Sequence, residues 1–331
     1  MLKIKTEDLN YKLNKSNIAQ NPYRASNNSK LLISDTKEII KFKDINKIIN
    51  KKSVFVFNKS SVIDVRILTE KLDTKGKIEI FILNKKNETT AVCLIKMNSK
   101  KIIKKTYKTI NFNFKIIEII DNTYIVQFNK SVNQIIKNYG ITPLPPYIED
   151  KKYKYKYYKT DFSRGGFSTA SPTAGLHFSN NLIKKISKNN NIIKYLNLDV
   201  GIGTFKPIDT EYIDDFDIHS EFYNINKNDF KEIINLKNEG YEIYSVGTTV
   251  LRTLETVYLN KKYNGKTNLY ITPGFKFNVC DYLITNFHAP KSTLLLIVLT
   301  IYGNKWKELY KYAQDNNMKF LSFGDAVLFK I

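Results

Sequence analysis

The sequence predicts an α/β layer with a mostly parallel sheet in its second half. Before it lies a strand-rich segment that forms an antiparallel sheet or a small barrel. Three observations predict this. Between Ser53 and Phe128, apolar and β-branched residues alternate in six short runs, the two-residue period of half-buried strands. After Ser171, helix-period and strand-period segments take turns, the order that builds parallel sheets through helical crossovers. Of the 24 Gly, Pro and His residues, 21 lie between Gly140 and Gly303, so turn-forming and titratable groups concentrate there. A chain of 331 residues is enough for about two domains of ~150 residues each.

Residues 1–52 mix short apolar runs with polar breaks, as in LLISD and EIIKF. The six alternating runs are SVFVFN, VIDVRIL, GKIEIFIL, TTAVCLIKM, FKIIEII and TYIVQF. SVNQIIKNYG reads as a short helix ending at Gly140. In PLPPYIEDKKYKYKYYK three prolines forbid regular structure, and its alternating Lys and Tyr are expected to be exposed. That stretch is either a solvated linker or an arm that stacks bases on tyrosine and meets phosphate with lysine. Beyond Ser171, helices are predicted at NNLIKKISK, NDFKEIINLKNEG, TTVLRTLETVYL, STLLLIVLTIYG and WKELYKYAQDN. Strands are predicted at IIKYLNLDV, YEIYSVG, TNLYIT, Leu283–Thr285 and AVLFKI. No internal repeat is present.

Composition excludes several classes. With 42% hydrophobic residues the chain can build a core, so it is not disordered throughout. The longest apolar run, Leu294–Ile301, falls far short of the ~20 residues of a membrane span. Two cysteines, Cys93 and Cys280, exclude a disulfide scaffold and any Cys-rich metal site. The N-terminus lacks the apolar core of a secretory signal, and a cytoplasmic protein is expected. The formal charge is +22, yet only Arg24, Arg66, Arg164 and Arg252 are arginines. Lysine spread by coding bias makes a protein basic with or without a nucleic-acid partner. Residues that run against that bias stand out.

Three strand-to-loop junctions carry such residues. In LNLDV-GIGTFKP, Gly201 and Gly203 allow a ligand to approach the backbone and Thr204 offers a hydroxyl; the same pattern also makes a tight turn. The full dinucleotide fingerprint is absent. In YSVGTTVLRTLET, Gly247 follows a strand while Thr248 and Thr249 open a helix, whose N-terminus can hold an anion. Arg252 lies one turn in on the same side and suggests a bidentate contact; a capped helix with a surface arginine gives the same pattern. In DYLITNFHAPKST, Asn286 and His288 follow the carboxyl end of a strand, where α/β sheets bind ligands. His177 follows a Pro–Gly loop in SPTAGLHF, and DIHSEF sets His219 two residues from Glu221. On a strand that pair shares a face, and a carboxylate there can orient a general base. Metal-binding histidine spacing is absent, so no metal is expected.

These motifs resemble a known family, the S-adenosylmethionine:tRNA ribosyltransferase-isomerases of queuosine biosynthesis. The resemblance rests on GITPLPPYI, SPTAGLHF, LDVGIGTFKP, HSEFY, VGTTVLRTLE, ITPGFKFNVCDYLITNFHAPKSTLLL and FLSFGDAVL, in that order. IAQNPYRASNNSKLL, VFNKSSVIDVRI and GKIEI fit near the N-terminus. The sequence departs from the family pattern at Lys30, Lys59, Ser61, Asp64, Asp199, Phe216 and Val250. It keeps His177, His219, Glu221, Arg252 and His288.

The resemblance implies an α/β main domain with a mostly parallel mixed sheet, residues 1–59 and 149–331, and an inserted small β-barrel domain at 60–148. It implies transfer and isomerisation of the ribosyl unit of S-adenosylmethionine, a consumed co-substrate. The acceptor is 7-aminomethyl-7-deazaguanine at the wobble position of tRNA with a GUN anticodon; the product is epoxyqueuosine, and adenine and methionine leave. A monomer with no membrane partner is expected. Such chemistry needs a base at the carbon next to the sulfonium. His219 with Glu221 suits it, with His177 or His288 as alternates. Arg252 and the Gly247–Thr249 turn would hold a carboxylate or phosphate. Gly201, Gly203 and Thr204 would line the adenosyl pocket, with Asn286 also on the co-substrate. Two other classes remain open: a non-catalytic RNA-binding relative, and a methyltransferase using the same co-substrate.

Overall fold

The computed structural model describes residues 3–23, 29–49, 51–98, 100–120, 122–149, 155–201, 203 and 206–331. The chain divides into two compact units, residues 1–61 with 145–331, and residues 62–144. In chain order the first unit begins with β1 (Lys30–Ile33), β2 (Ile39–Lys41) and β3 (Ser53–Asn58). The second unit holds β4 (Arg66–Glu70), β5 (Lys77–Lys85), β6 (Thr90–Met97), β7 (Thr106–Lys108), β8 (Asn113–Ile120), β9 (Thr123–Phe128), α1 (Val132–Tyr139) and β10 (Gly140–Ile141). The first unit resumes with α2 (Asn180–Lys188), β11 (Ile192–Asp199), β12 (Glu221–Asn224), α3 (Lys227–Asn238), β13 (Glu242–Val246), α4 (Thr248–Asn260) and β14 (Asn264–Thr267). It ends with β15 (Tyr282–Asn286), α5 (Thr293–Tyr302), α6 (Trp306–Asp315) and β16 (Ala326–Lys330).

In the first unit a nine-stranded sheet runs β14-β12-β11-β3-β13-β15-β16-β1-β2. It is mixed rather than mostly parallel. The β11-β3-β13-β15 centre and the β16-β1 pair are parallel, and the other four pairs are antiparallel. The connections explain this. One helix between β13 and β15 returns the chain to the starting edge and gives a parallel pair. The α5–α6 pair returns it to the end it left, so β16 runs antiparallel to β15.

SVFVFN reads as one of the alternating runs of the strand-rich segment. It is instead β3, at the middle of the main sheet and buried at all six positions. Val54 and Val56 enter the core with α3 to α6, while Phe55 and Phe57 enter the core with α2. A strand covered on both faces has no polar side to show. TNLYIT alternates as a strand should, but strand pairing stops at Thr267; only β12 lies beside β14, and residues 268–272 join no strand.

The Pro-rich stretch is only partly the exposed arm expected. Lys156 and Tyr157 are exposed, but Ile148 and Tyr158 are buried, and the Tyr147 hydroxyl lies 2.6 Å from Ser322 Oγ. Residues 150–154 lie outside the described residues.

The second unit is an antiparallel sheet ordered β10-β4-β5-β6-β9-β8-β7. Ile78, Ile80 and Ile82 on β5 and Ala91, Cys93, Ile95 and Met97 on β6 point into its core, as the two-residue period requires. Beyond β4, Leu72 N–H donates to Lys108 O at 3.0 Å and Ile110 N–H to Glu70 O at 3.1 Å. No helix among the described residues is long and apolar enough to cross a membrane.

Candidate active site

The carboxyl ends of β11, β13 and β15 open on a cavity of about 330 Å³ in the first unit, the edge at which α/β sheets hold ligands. Gly247, Thr248 and Thr249 form one wall, Asn286 and His288 another, and Tyr147 and Ser171 close it. Its lining is largely apolar, with Pro172, Val200, Phe287 and Leu294 among it. The Ser171 hydroxyl is buried there without a hydrogen-bond partner.

Helix α4 begins on this cavity. The apolar face of TTVLRTLETVYL, with Val250, Leu251, Leu254 and Val257, packs into the core and fixes the axis. Gly247 takes φ +97°, which lets strand β13 turn directly into the helix. No side chain caps it, so first-turn N–H groups and the helix dipole face the cavity. The Asn58 amide donates to Thr249 Oγ1 at 3.3 Å.

Thr248 and Thr249 also line a smaller chamber of about 20 Å³, together with His219, Glu221, Arg252 and Tyr270. That is room for about one water molecule. Glu221 is 3% exposed. Its Oε1 accepts the Gly201 N–H at 2.9 Å and its Oε2 pairs with Arg252 Nη1. Burial alone would raise the Glu221 pKa; the His219 ring, the Arg252 charge and the Gly201 N–H outweigh it and hold it down to about 2. Arg252 Nε donates to Leu269 O at 3.0 Å, while its Nη2 is buried with no hydrogen-bond partner. His219 Nε2 stands 3.5 Å from Glu221 Oε1, in ion-pair range but without hydrogen-bond geometry, and is also unpartnered. The Tyr270 hydroxyl is a third buried, unpartnered group on this chamber. His219 does not share β12 with Glu221, because the strand starts at Glu221.

Gly201 and Gly203 acquire a local reason. A Cβ at Gly203 would lie 2.6 Å from His219 Cε1, and one at Gly201 would lie 3.1 Å from His219 Cδ2. The two glycines seat the imidazole. Thr204 lies outside the described residues.

The other two histidines differ in kind. Burial lowers the pKa of both His177 and His288 to about 3, so both are neutral and weakly basic near neutral pH. His288 stays on the main cavity, its Nε2 3.1 Å from Thr285 Oγ1. His177 is not on the main cavity with it. It lines a second cavity of about 420 Å³, and both its ring nitrogens lie within hydrogen-bond distance of protein atoms.

The fold thus brings His219, Glu221, Arg252, Gly201 and Gly203 together, and joins them through Thr248 and Thr249 to a cavity holding Gly247, Asn286 and His288. Among the positions of departure, Asp199 accepts the Phe167 N–H at 2.8 Å, and the Phe216 ring packs 6.3 Å from that of Tyr270. Sequence reading missed Ser171, Tyr270 and Glu255. Glu255, buried on α4, accepts the backbone N–H groups of Asn278, Val279 and Cys280 just before β15. A buried acid on the apolar side of a helix was the available signal for it. Among the described residues no group of three or more His, Cys, Asp or Glu is placed to hold a metal ion.

Comparison with known proteins bears on all of this. Residues 6–329 match a family model described as "Queuosine biosynthesis protein". A relative from Acetivibrio thermocellus, named S-adenosylmethionine:tRNA ribosyltransferase-isomerase, is 38% identical over 99% of this chain and 100% of its own. One of the same name from Finegoldia magna is 36% identical over 97% of each chain. The crystal structure of an S-adenosylmethionine tRNA ribosyltransferase from Thermotoga maritima aligns with a TM-score of 0.55 at 28% identity, covering 97% of this chain and 99% of that one. The chain therefore belongs to the queuosine biosynthesis protein family, that of the S-adenosylmethionine:tRNA ribosyltransferase-isomerases.

Proposed function

We propose that the protein transfers and isomerises the ribosyl unit of S-adenosylmethionine onto 7-aminomethyl-7-deazaguanine at the wobble position of a GUN-anticodon tRNA, in the cytoplasm and as a monomer. Epoxyqueuosine is formed on the tRNA, and adenine and methionine are released. One observation carries the reading: the Thr248–Thr249 turn lines both the main cavity and the His219–Glu221–Arg252 chamber. A co-substrate lying along the cavity can therefore meet a helix N-terminus, an arginine and a histidine at once.

His219 is the base in this reading. The sulfonium acidifies the adjacent ribose carbon, and a neutral imidazole takes that proton while Glu221 stabilises the resulting imidazolium. His177 and His288 hold their protons too weakly for the task. The unpartnered Nη2 of Arg252 and the N–H groups opening α4 would receive the methionine carboxylate. The second unit is read as the small inserted barrel, supported by the hydrogen bonds from Leu72 to Lys108 and from Ile110 to Glu70.

The products test the function. Ribosyl transfer breaks both the glycosidic and the carbon–sulfur bond, so chromatography after incubation should show adenine and methionine in equal amounts, and only with tRNA bearing the aminomethyl base. Accumulated S-adenosylhomocysteine would indicate a methyltransferase. Tight tRNA binding with no consumption would indicate a non-catalytic relative.

A further inference from the structure

A chain of side-chain hydrogen bonds crosses the wall between the two cavities of the first unit. Ser29 Oγ lies 2.8 Å from His177 Nδ1, and His177 Nε2 lies 3.2 Å from Asn286 Nδ2. The Thr173 hydroxyl donates to Asn286 Oδ1 at 2.9 Å. Asn286 and Thr173 line the main cavity and His177 the second. The His177 ring is stacked on Phe42, with centroids 4.8 Å apart and planes at 23°, so it is held against rotation.

With the Asn286 amide turned so that Oδ1 faces Thr173 and Nδ2 faces His177, the donors follow. An amide nitrogen only donates, so His177 Nε2 accepts. A neutral imidazole with a bare Nε2 carries its proton on Nδ1, and Nδ1–H then donates to Ser29. Asn286 Nδ2 has two hydrogens. One is committed to His177, and the other has no acceptor among the described residues. We infer that His177 is a positioning residue, whose ring holds the Asn286 amide so that its second N–H is offered to an acceptor on the co-substrate. This rests on the S-adenosylmethionine reading above. The acceptor class is a purine ring nitrogen, which gains negative charge as adenine departs; a fixed donor stabilises that charge more than it stabilises the bound ground state. Burial keeps the ring neutral, so the amide is not turned over by protonation near neutral pH.

The tautomer is measurable in the intact wild-type protein. With only three histidines in the chain, ¹⁵N-histidine labelling gives three sets of ring signals, and His177→Gln identifies one by its loss. The expected result is a protonated Nδ1, a bare Nε2 and no titration between about pH 6 and about pH 8.5. A protonated Nε2, or a ring that titrates in that window, overturns the inference. Kinetics supplies the second arm. Glutamine can offer an acceptor in place of Nε2 and leucine cannot. His177→Leu should lower kcat about 10- to 100-fold with tRNA KM nearly unchanged, and His177→Gln should recover most of the loss. Equal losses in both variants overturn the positioning role. If the wild-type protein releases no adenine at all, the functional reading fails and takes the donor role with it. The tautomer is then judged by the ¹⁵N spectrum alone.

Discussion

Gly203 and His219 illustrate how closely single residues are tied here. The imidazole lies against a backbone without side chains, and the proposed role of His219 depends on that seat. Gly203→Ala would place a methyl 2.6 Å from His219 Cε1, closer than any real contact, so the ring must leave. Turnover should fall about 10²- to 10⁴-fold, as for His219→Ala. Thermal stability should move little, because the His219 side chain is already 35% exposed. Parallel turnover and melting measurements decide this, and a Gly203→Ala enzyme with normal turnover would remove His219 from the reaction. The buried titratable groups make a second prediction. His177 and His288 fall from 6.5 to about 3 on folding, so below pH 6.5 the unfolded chain binds protons that the folded chain refuses. Glu221 falls from 4.5 to about 2, and its contribution is present above 4.5 and lost as pH drops toward 2. All three act in the same direction. Stability should decline from about pH 6.5 downward, by up to about 3 kcal/mol per pH unit for the two histidines together. Urea unfolding at several pH values measures it, and the decline between pH values near 7 and 5 should be about halved in His288→Asn.

At the scale of elements, helix α4 joins the core to the candidate cavity through Gly247, the residue that precedes its first turn. Gly247 has φ +97° and ψ 152°, a region other residues rarely enter. A Cβ there would lie 3.4 Å from Ala174 Cβ, an ordinary contact, so the cost of Gly247→Ala is conformational. It should destabilise the protein by about 1–3 kcal/mol and raise the KM for S-adenosylmethionine by tilting the first turn. Denaturant titration and saturation kinetics read the two effects separately, and an unchanged KM would detach the α4 N-terminus from co-substrate binding. What made α4 and α2 legible in the sequence is local: apolar spacing, a glycine turn before one, Ser179 capping the other. Strands β1, β2, β7 and β10 were not legible, being short; β1 and β10 are also paired with distant partners, as Leu31 is with Ala326 and Gly140 with Ile67. TNLYIT shows the converse, a good strand pattern with no neighbour to complete it. The candidate site follows the same division. The two-residue spacing of His219 and Glu221 is visible in the chain, whereas the His177–Asn286 pair, 109 residues apart, exists only in the fold.

For the whole molecule the decisive quantity is charge. A formal charge of +22 reflects lysine spread over both units, and it does not say which lysines touch RNA. Counterion release does. Each phosphate contacted adds a slope of about −0.7 to −0.9 to log affinity against log salt, and six to ten contacts cost about 10³- to 10⁵-fold between about 50 and 200 mM. The tRNA affinity should therefore fall steeply with salt. If S-adenosylmethionine lies in the largely apolar cavity at one helix terminus, as proposed, it should bind with a much flatter dependence. Lys104 and Lys105 in the second unit, and Lys184 and Lys185 on α2 in the first, are exposed and provide the comparison. If tRNA lies on both units, replacing either pair with alanine should flatten the slope by about 1 to 2 and leave S-adenosylmethionine affinity unchanged. Flattening by only one pair would confine the RNA to that unit. A flat salt dependence in the wild-type protein would show that the lysine excess is coding bias rather than a binding surface, whatever the fate of the reaction itself.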